Sequence, residues 1–254
     1  MKVFDQYSRY YDLLYRDKNY QLEVDFVLSL INRYAPGRCL IFEMGCGTGI
    51  HAQMFAEAGH EVHGIDLSDS MLESAERRRS SLLPDLRERL NFSHGDVRTY
   101  RSARRFNVVL SLFHVFSYQI KNSDLQAAFS TAAAHLNVGG VFIFDYWYGP
   151  AVLTMRPETR VKRLSAENLS ILRIAESELN EQRSIVEVSY ETRVEVGGVS
   201  EVILEKHSMR YLFLQEIELF AEKSGFEVVS HQAWLSEGEP SLRSWSGCSV
   251  LRRL

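Results

Sequence analysis

Arg38-Cys39-Leu40-Ile41-Phe42-Glu43-Met44-Gly45-Cys46-Gly47-Thr48-Gly49 is the stretch on which the fold turns. Its first seven residues form a mostly apolar run of strand length, and three glycines alternate immediately after it. A buried strand that ends in such a loop and feeds a helix opens a nucleotide-binding α/β unit. Glycine at 45, 47 and 49 lets the backbone turn tightly and approach a ligand closely. Bare amides at the following helix N-terminus attract a carboxylate or a ribose hydroxyl. The spacing is GxGxG, not the GxGxxG of dinucleotide enzymes, so a nicotinamide-dependent oxidoreductase is the rival reading.

The pattern continues outward from this loop. A helix runs through Met54 and Ala58 and stops at Gly59, and Val62 to Asp66 reads as a second strand. Ser68 then caps a helix carrying Met71, Leu72 and Ala75. Leu90-Asn91-Phe92 leads into Gly95-Asp96, and Phe106 to Phe113 is a strongly apolar fourth strand. Asp124 to Leu136 is helical and closes at Asn137-Val138-Gly139-Gly140, before a fifth strand from Val141 to Asp145. Beyond Pro150 the texture changes. Alternation replaces helical periodicity over residues 158–212, predicting two to four antiparallel strands with a turn at Gly197-Gly198. Helix returns from Leu214 to Ser224, and Phe226 to Ser230 and Cys248 to Leu251 close as strands.

These readings predict an α/β fold: a doubly wound, mostly parallel seven-stranded sheet, Rossmann-like, with an inserted antiparallel β-layer. Residues 1–254 form one unit, divided into N-terminal helices (1–35), a cofactor-binding core (36–150), inserted strands (151–212) and a closing helix and strands (213–254). The 254 residues are 45% apolar and 24% charged, ordinary values for a chain with a sizeable core. A net charge of −4 argues against a nucleic-acid binder that works by neutralising phosphates. Arg77-Arg78-Arg79 reads as a solvated helix face and Arg101 to Arg105 as a loop. Cys39, Cys46 and Cys248 form no CxxC, which fits a reducing cytoplasm and gives no metal framework. No segment has the length or apolarity of a membrane span. A soluble, cytoplasmic protein is the expectation.

Asp66 ends the second strand, where a carboxylate can accept two hydrogen bonds from a ribose diol. A capped turn with Ser68 is the plainer alternative for Asp66 taken alone. Taken together, Glu43 to Gly49, Gly64-Ile65-Asp66-Leu67-Ser68 with Met71-Leu72, Gly95-Asp96-Val97-Arg98 and Leu136 to Gly140 resemble class I S-adenosylmethionine-dependent methyltransferases. The resemblance covers roughly residues 38–146 in unbroken order. It implies that Glu43, Gly45, Gly47 and Gly49 lie along the methionine part of the cofactor and that Asp66 holds the ribose. It further implies that Leu67 and Met71 flank the adenine, Asp96 receives its amino group and Val97 offers its backbone.

Tyr7, Tyr11 and Tyr15 share one face if they are helical, beside Asp12. An anchoring core stripe is the plain reading of any one of them. With Lys18, Tyr20 and Glu23 they look like the opening of nucleotide-linked amino-sugar N,N-dimethyltransferases and glycine N-methyltransferase-like enzymes. That resemblance implies a lid over the cofactor at Tyr11, with Tyr7 and Tyr15 toward the acceptor, and an inserted sheet that helps build the acceptor pocket and often a homodimer interface.

Three stretches are expected to face the acceptor. The run from Leu112 to Tyr118 leaves the fourth strand at its carboxyl end, where open α/β sheets bind ligands. The second, Asp145 to Pro150, supplies Trp147, Tyr148 and a carboxylate. The third, Glu205 to Tyr211, lies on the inserted sheet and includes His207 and Arg210. His114, Tyr118 and His207 are the candidate bases, with a satisfied packing histidine the alternative for His114. Trp147 and Tyr148 are expected pocket walls, and Arg210 suits a pyrophosphate, against a solvated strand face as its alternative. Tyr118 stands about where the amino-sugar enzymes carry a histidine, a departure from their pattern. The Asn/Asp-Pro-Pro-Tyr run of base and glutamine N-methyltransferases is replaced by Ser111-Leu112-Phe113-His114, and no acidic cluster for a catalytic magnesium is evident. The expected function is metal-independent N-methylation of a nucleotide-linked amino sugar by S-adenosylmethionine. O- or N-methylation of another small metabolite and a non-catalytic cofactor-binding protein stay open beside it.

Overall fold

The structure, a computed structural model, describes residues 10–166 and 168–254. Helices α1 (Tyr11–Leu14) and α2 (Tyr20–Tyr34) precede β1 (Leu40–Met44), α3 (Ile50–Glu57), β2 (Glu61–Asp66), α4 (Asp69–Ser80), α5 (Pro84–Arg87) and β3 (Leu90–His94). Then come β4 (Phe106–Ser111), a 3-10 turn (Val115–Tyr118), α6 (Asn122–His135), β5 (Leu136–Tyr148) and α7 (Gly149–Met155). The chain closes with β6 (Arg160–Ala166), β7 (Leu169–Asn180), β8 (Ile185–Val196), β9 (Val199–Leu212), α8 (Leu214–Lys223), β10 (Phe226–Ala233) and β11 (Ser246–Arg253).

Strands β3, β2, β1, β4 and β5 pair in parallel in that order. β11 then lies antiparallel to β5 and β10 antiparallel to β11, which completes seven strands. Alternation along the central strands explains the double winding. Phe42, Val109, Phe142 and Phe144 face Phe129 of α6 and Phe220 of α8. Their neighbours Ile41, Val108, Leu110, Val141 and Ile143 face Val27 of α2 and Phe55 of α3 on the opposite side. All nine of these strand residues are fully buried, so each face of the sheet has its own core.

β6 to β9 form a four-stranded antiparallel meander, the upper end of the predicted number. The β8–β9 hairpin turns on Gly197 (φ +57°) and Gly198 (φ +83°), the paired left-handed residues a two-residue hairpin needs. The meander joins the core where Trp147 and Tyr148 of β5 pair in parallel with Tyr211 and Leu212 of β9.

Three elements differ from the sequence expectation. β4 ends at Ser111, because Phe113 and His114 both turn left-handed (φ +63° and +65°). The glycines at 139 and 140 do not separate α6 from β5. β5 begins at Leu136, and the excess residues form a bulge between the Phe106–Leu136 and Val108–Val141 pairs. Gly149–Met155 is a helix opened by Pro150 at an early position, where proline's missing N–H costs nothing.

Candidate functional site

The loop after β1 is held open by its glycines. Gly45, Gly47 and Gly49 all have positive φ (+80°, +55° and +77°). A Cβ on Gly45 would stand 2.6 Å from Val115, and one on Gly49 would stand 2.8 Å from Phe92. At Gly47 it would meet nothing within 4 Å, so the loop turns its middle toward open space. Asp66, at the tip of β2, accepts the Gly47 N–H at 2.9 Å and the Ser68 N–H at 2.9 Å, one on each carboxylate oxygen. The Leu67 amide also bears on this carboxylate, which keeps lone-pair capacity for a further donor. Ser68 caps α4 through the Met71 amide, so the capped turn and the loop-facing carboxylate are one arrangement.

Glu43 stands on β1 beneath this loop. It is fully buried, and its Oε2 has no hydrogen-bond partner among the described residues. Burial, with the nearby Asp66 carboxylate opposing a second negative charge, pushes its pKa up to about 8. Burial also raises Asp66, while the amides of Ser68 and Gly47 pull it back. Two carboxyl groups thus converge on the glycine loop, and among the described residues no cation stands beside Glu43.

The adenine-side residues are arranged less openly. Leu67 is 59% exposed, whereas Met71 is buried at 3% and Val97 packs into the core. Asp96 is gripped by Arg98, whose Nε lies 2.9 and 3.1 Å from its two oxygens, and this fork holds its pKa below the usual range. An amino group approaching Asp96 therefore shares that carboxylate with a guanidinium.

The N-terminal segment docks onto the glycine loop. Asp12 accepts hydrogen bonds from Thr48 Oγ1 and Arg78 Nη2, each at 2.7 Å, and Arg78 Nε donates to the Thr48 carbonyl at 3.0 Å. Arg78 therefore departs from the solvated face predicted for it, and the Asp12–Thr48–Arg78 latch escaped the sequence reading. Thr48 and Arg78 lie 36 and 66 residues from Asp12 along the chain. Tyr11 and Tyr15 pack on each other (4.8 Å), and Tyr15 meets the edge of Phe113 (5.1 Å). Lys18 Nζ lies over the Tyr20 and Phe113 rings at 4.2 and 4.3 Å and pairs with Glu23, which also holds His51 at 2.9 Å. Burial lowers the pKa of both Lys18 and His51, and their hydrogen bonds and charges hold Glu23 low against its own burial. Tyr7 lies outside the described residues.

At the carboxyl end of β4, Phe113 and His114 carry consecutive left-handed backbones, a strain of roughly 1–3 kcal/mol each. Asp145, fully buried at the end of β5, fixes this turn by accepting the His114 N–H at 3.0 Å. Its other oxygen lies 2.6 Å from His114 Nδ1, off the line of a hydrogen bond. His114 faces Trp147 at 6.0 Å, and Trp147 in turn faces Trp245 at 5.6 Å, a ring that sequence reasoning missed. Tyr148 is half-buried against the core.

Tyr118 and His207 meet across the molecule, Oη to Nδ1 at 2.7 Å, and His207 Nε2 lies 2.9 Å from Glu205. Glu205 escaped notice as a site residue, although an acid two positions before a strand histidine shares its face. Arg210 is not poised for a ligand. It is 7% exposed and donates to the Ile120 carbonyl, Asn122 and Glu216, because the end of β9 packs against the start of α6 and α8. Two cations of the inserted sheet face the N-terminal segment instead: Arg173, 3.3 Å from Tyr15 Oη and over the Tyr190 ring at 5.5 Å, and Lys162, which donates to the Leu14 carbonyl and lies 3.2 Å from Asp17. No described helix is long and apolar enough to cross a membrane.

Comparison with known proteins adds to this geometry. Residues 41–140 match a family model described as a methyltransferase domain. The chain is 33% identical, over 142 residues, to dTDP-3-amino-3,4,6-trideoxy-alpha-D-glucopyranose N,N-dimethyltransferase of Streptomyces venezuelae. That match takes in 55% of this chain and 56% of that protein, so it spans little more than half the length of the curated relative. Among solved structures, an S-adenosylmethionine-dependent methyltransferase from Clostridium acetobutylicum superposes with a TM-score of 0.81 at 20% identity, over 98% of both chains. A sugar N-methyltransferase from Streptoalloteichus gives 0.81 at 22% identity, over 96% of this chain and 93% of that one. These likenesses cover the inserted sheet as well as the core. Residues 41–140 thus match a methyltransferase domain, and the chain takes the fold that S-adenosylmethionine-dependent methyltransferases of known structure share.

Proposed function

We propose that this protein is an S-adenosylmethionine-dependent N-methyltransferase whose acceptor is an amino sugar carried on a nucleotide diphosphate. The observation that carries the cofactor assignment is the buried Glu43 oxygen, without a hydrogen-bond partner among the described residues, beside a glycine loop tied to Asp66. Such a site suits a cationic ligand rich in donors. A dinucleotide would set its pyrophosphate against two carboxyl groups, which disfavours the oxidoreductase reading. In this assignment Glu43 and the loop amides hold the methionine end of the cofactor. Asp66 takes the ribose hydroxyls, Leu67 covers the adenine and the Tyr11 segment closes over the loop through Asp12. The cofactor supplies a methyl group on a sulfonium, an electrophile that needs alignment more than covalent help.

The chain's own contribution is then positioning and exclusion of water. Holding the nucleophile in line with the methyl carbon is worth about 7–11 kcal/mol. Tyr11, Tyr15, Phe113 and Trp147 form the aromatic surround that excludes water, and Asp145 holds the strained turn that carries His114. The acceptor class is supported by the name of the Streptomyces venezuelae relative and by Arg173, a cation on the inserted sheet that reaches Tyr15 of the N-terminal segment. A homodimer through the outer face of the insert, where Val202 and Leu204 are more than half exposed, belongs to the same proposal, and light scattering tests it. Its three free cysteines accord with a cytoplasmic setting.

Incubation with S-adenosylmethionine and a panel of dTDP-linked amino sugars, followed by mass spectrometry, tests the function. Gains of one or two methyl masses on the sugar nitrogen are expected. Labelling only of phenols or alcohols would reject the amine acceptor, and binding of cofactor with no transfer to any amine, phenol or sugar would reject the enzyme.

A further inference from the structure

A nitrogen must shed a proton before it can attack a methyl carbon, and once methylated it must shed another before a second attack. A base for this step has to border the cofactor loop, keep one lone pair open and return its proton to water between transfers.

His114 meets each of these conditions. It leaves the carboxyl end of β4, the strand that pairs with β1, at the edge where open α/β sheets bind ligands. Its neighbour Val115 lies so close to Gly45 that a Cβ there would stand 2.6 Å away, which sets the His114 turn beside the glycine loop. Phe113 and Trp147 flank the imidazole at 5.6 and 6.0 Å, and Phe113 in turn meets Tyr11 and Tyr15 of the N-terminal segment. Glycine would take the φ of +65° without strain, so a histidine at this position points to a use for its ring.

The two ring nitrogens stand in unlike surroundings. Nδ1 is buried, 2.6 Å from Asp145 Oδ2, while Asp145 Oδ1 accepts the His114 backbone N–H at 3.0 Å. A lone pair on Nδ1 would face carboxylate charge at that distance, so Nδ1 carries the proton although its N–H lies off the line of a hydrogen bond. Nε2 then holds the lone pair. No described residue hydrogen-bonds it, and it lies on the open edge of a side chain that is 19% exposed. Asp145 is 1% exposed, and the other titratable groups bearing on it are Lys18 of the N-terminal segment, His51 of α3 and Cys248 of β11.

We infer that His114 is the base that takes the acceptor amine's proton, through Nε2, and that Asp145 is the positioning residue that holds the ring and counters its charge. The inference rests on the proposed N-methylation. The ammonium proton passes to His114 Nε2. The nitrogen lone pair so released forms the N–C bond as the methyl's C–S bond breaks, and that pair stays on sulfur. The spent cofactor must leave before a second transfer, so the cleft opens to water and the imidazolium sheds its proton across its exposed edge. The ring is thereby reset for the next methyl group.

The test compares the parent with His114→Gly, which suits the left-handed backbone, and with Asp145→Asn, which keeps an oxygen for the His114 N–H but loses the charge. S-adenosylmethionine and dTDP-3-amino-3,4,6-trideoxyglucose are the probes. At pH 7 His114→Gly should lower kcat by about 10²-fold or more with an unchanged Kd for S-adenosylmethionine, and added imidazole should restore part of the loss. The gap should close as the pH nears the acceptor amine's own pKa, because the amine then arrives neutral. Asp145→Asn should show a smaller loss with the same recovery. A deficit that does not change with pH, or no deficit, overturns the assignment and returns His114 to packing. Should the parent transfer no methyl to this probe, the functional reading fails separately, and the nitrogen-15 spectrum of His114 decides the pair. A neutral ring protonated at Nδ1, with the proton moving toward Nε2 in Asp145→Asn, supports it. A ring protonated at Nε2 in the parent overturns it.

Discussion

The two walls of the cleft are built on opposite plans. The loop wall is local: Glu43, the glycine loop, Asp66 and Asp96 follow one another on consecutive strand ends, and each is fixed by backbone amides or near neighbours. The insert wall is assembled from afar. Tyr118 meets His207 across 89 residues, Arg210 meets Asn122 across 88, and Arg173 meets Tyr15 across 158. A local wall keeps its geometry as long as its strands pair. A remote wall keeps its geometry only while the meander, α6 and the N-terminal segment stay docked, so substitutions there should register first as stability or turnover and only weakly as cofactor affinity.

The largest expected effect lies in the local wall and is electrostatic. Glu43 titrates near 8 in the folded protein against an ordinary carboxyl value when unfolded. Between those values the folded state keeps a proton that the unfolded state has lost, so stability falls as pH rises through this window. The slope from this group alone is at most about 1.4 kcal/mol per pH unit. Denaturant midpoints measured from pH 5 to pH 8 should therefore fall less steeply in Glu43→Gln than in the parent. Parallel curves would mean that Glu43 is already paired.

Arg210→Ala comes next, in the remote wall. Removing the guanidinium leaves Asn122 and Glu216 without their shared donor, and the partial exposure of Glu216 brings the cost down to about 2–3 kcal/mol. Chemical denaturation reads this loss, and the affinity for S-adenosylmethionine should hold in the folded fraction. A matching fall in affinity would show that the two walls are not independent.

Asp66→Ala should weaken S-adenosylmethionine binding at least tenfold, about 1.4 kcal/mol, since it removes both the proposed ribose contact and the brace on the Gly47 amide. Isothermal calorimetry checks this, and an unchanged Kd would remove Asp66 from the site. The smallest effect belongs to the latch between the walls. Asp12 and Arg78 are partly exposed, so their pair is worth under about 1 kcal/mol, and Asp12→Ala should cost cofactor affinity no more than about fivefold. A larger loss would make the N-terminal segment a principal cofactor contact.

The same contrast explains what was legible in the sequence. Period-two alternation, a capped turn at Ser68 and glycine stops at 59 and 225 gave the strand and helix order of the core, because each signal is read within a few residues. The glycine loop and Asp66 were legible for the same reason. Alternation in the insert exposed two faces of each strand but not which face turns inward, so His207 was singled out while Glu205 on the same face was not. Arg210 has the composition of a phosphate ligand, and only the packing of β9 against α6 and α8 reveals that it is already committed. Arg78 looked like one of three solvated arginines until the fold of the N-terminal segment brought Asp12 over it.

Calorimetric titration of the parent protein with S-adenosylmethionine, with NADH as the control ligand, tests the central claim most directly. Saturable one-site binding of S-adenosylmethionine, with no heat from NADH, is the predicted result. Saturable binding of NADH with none of S-adenosylmethionine would contradict it.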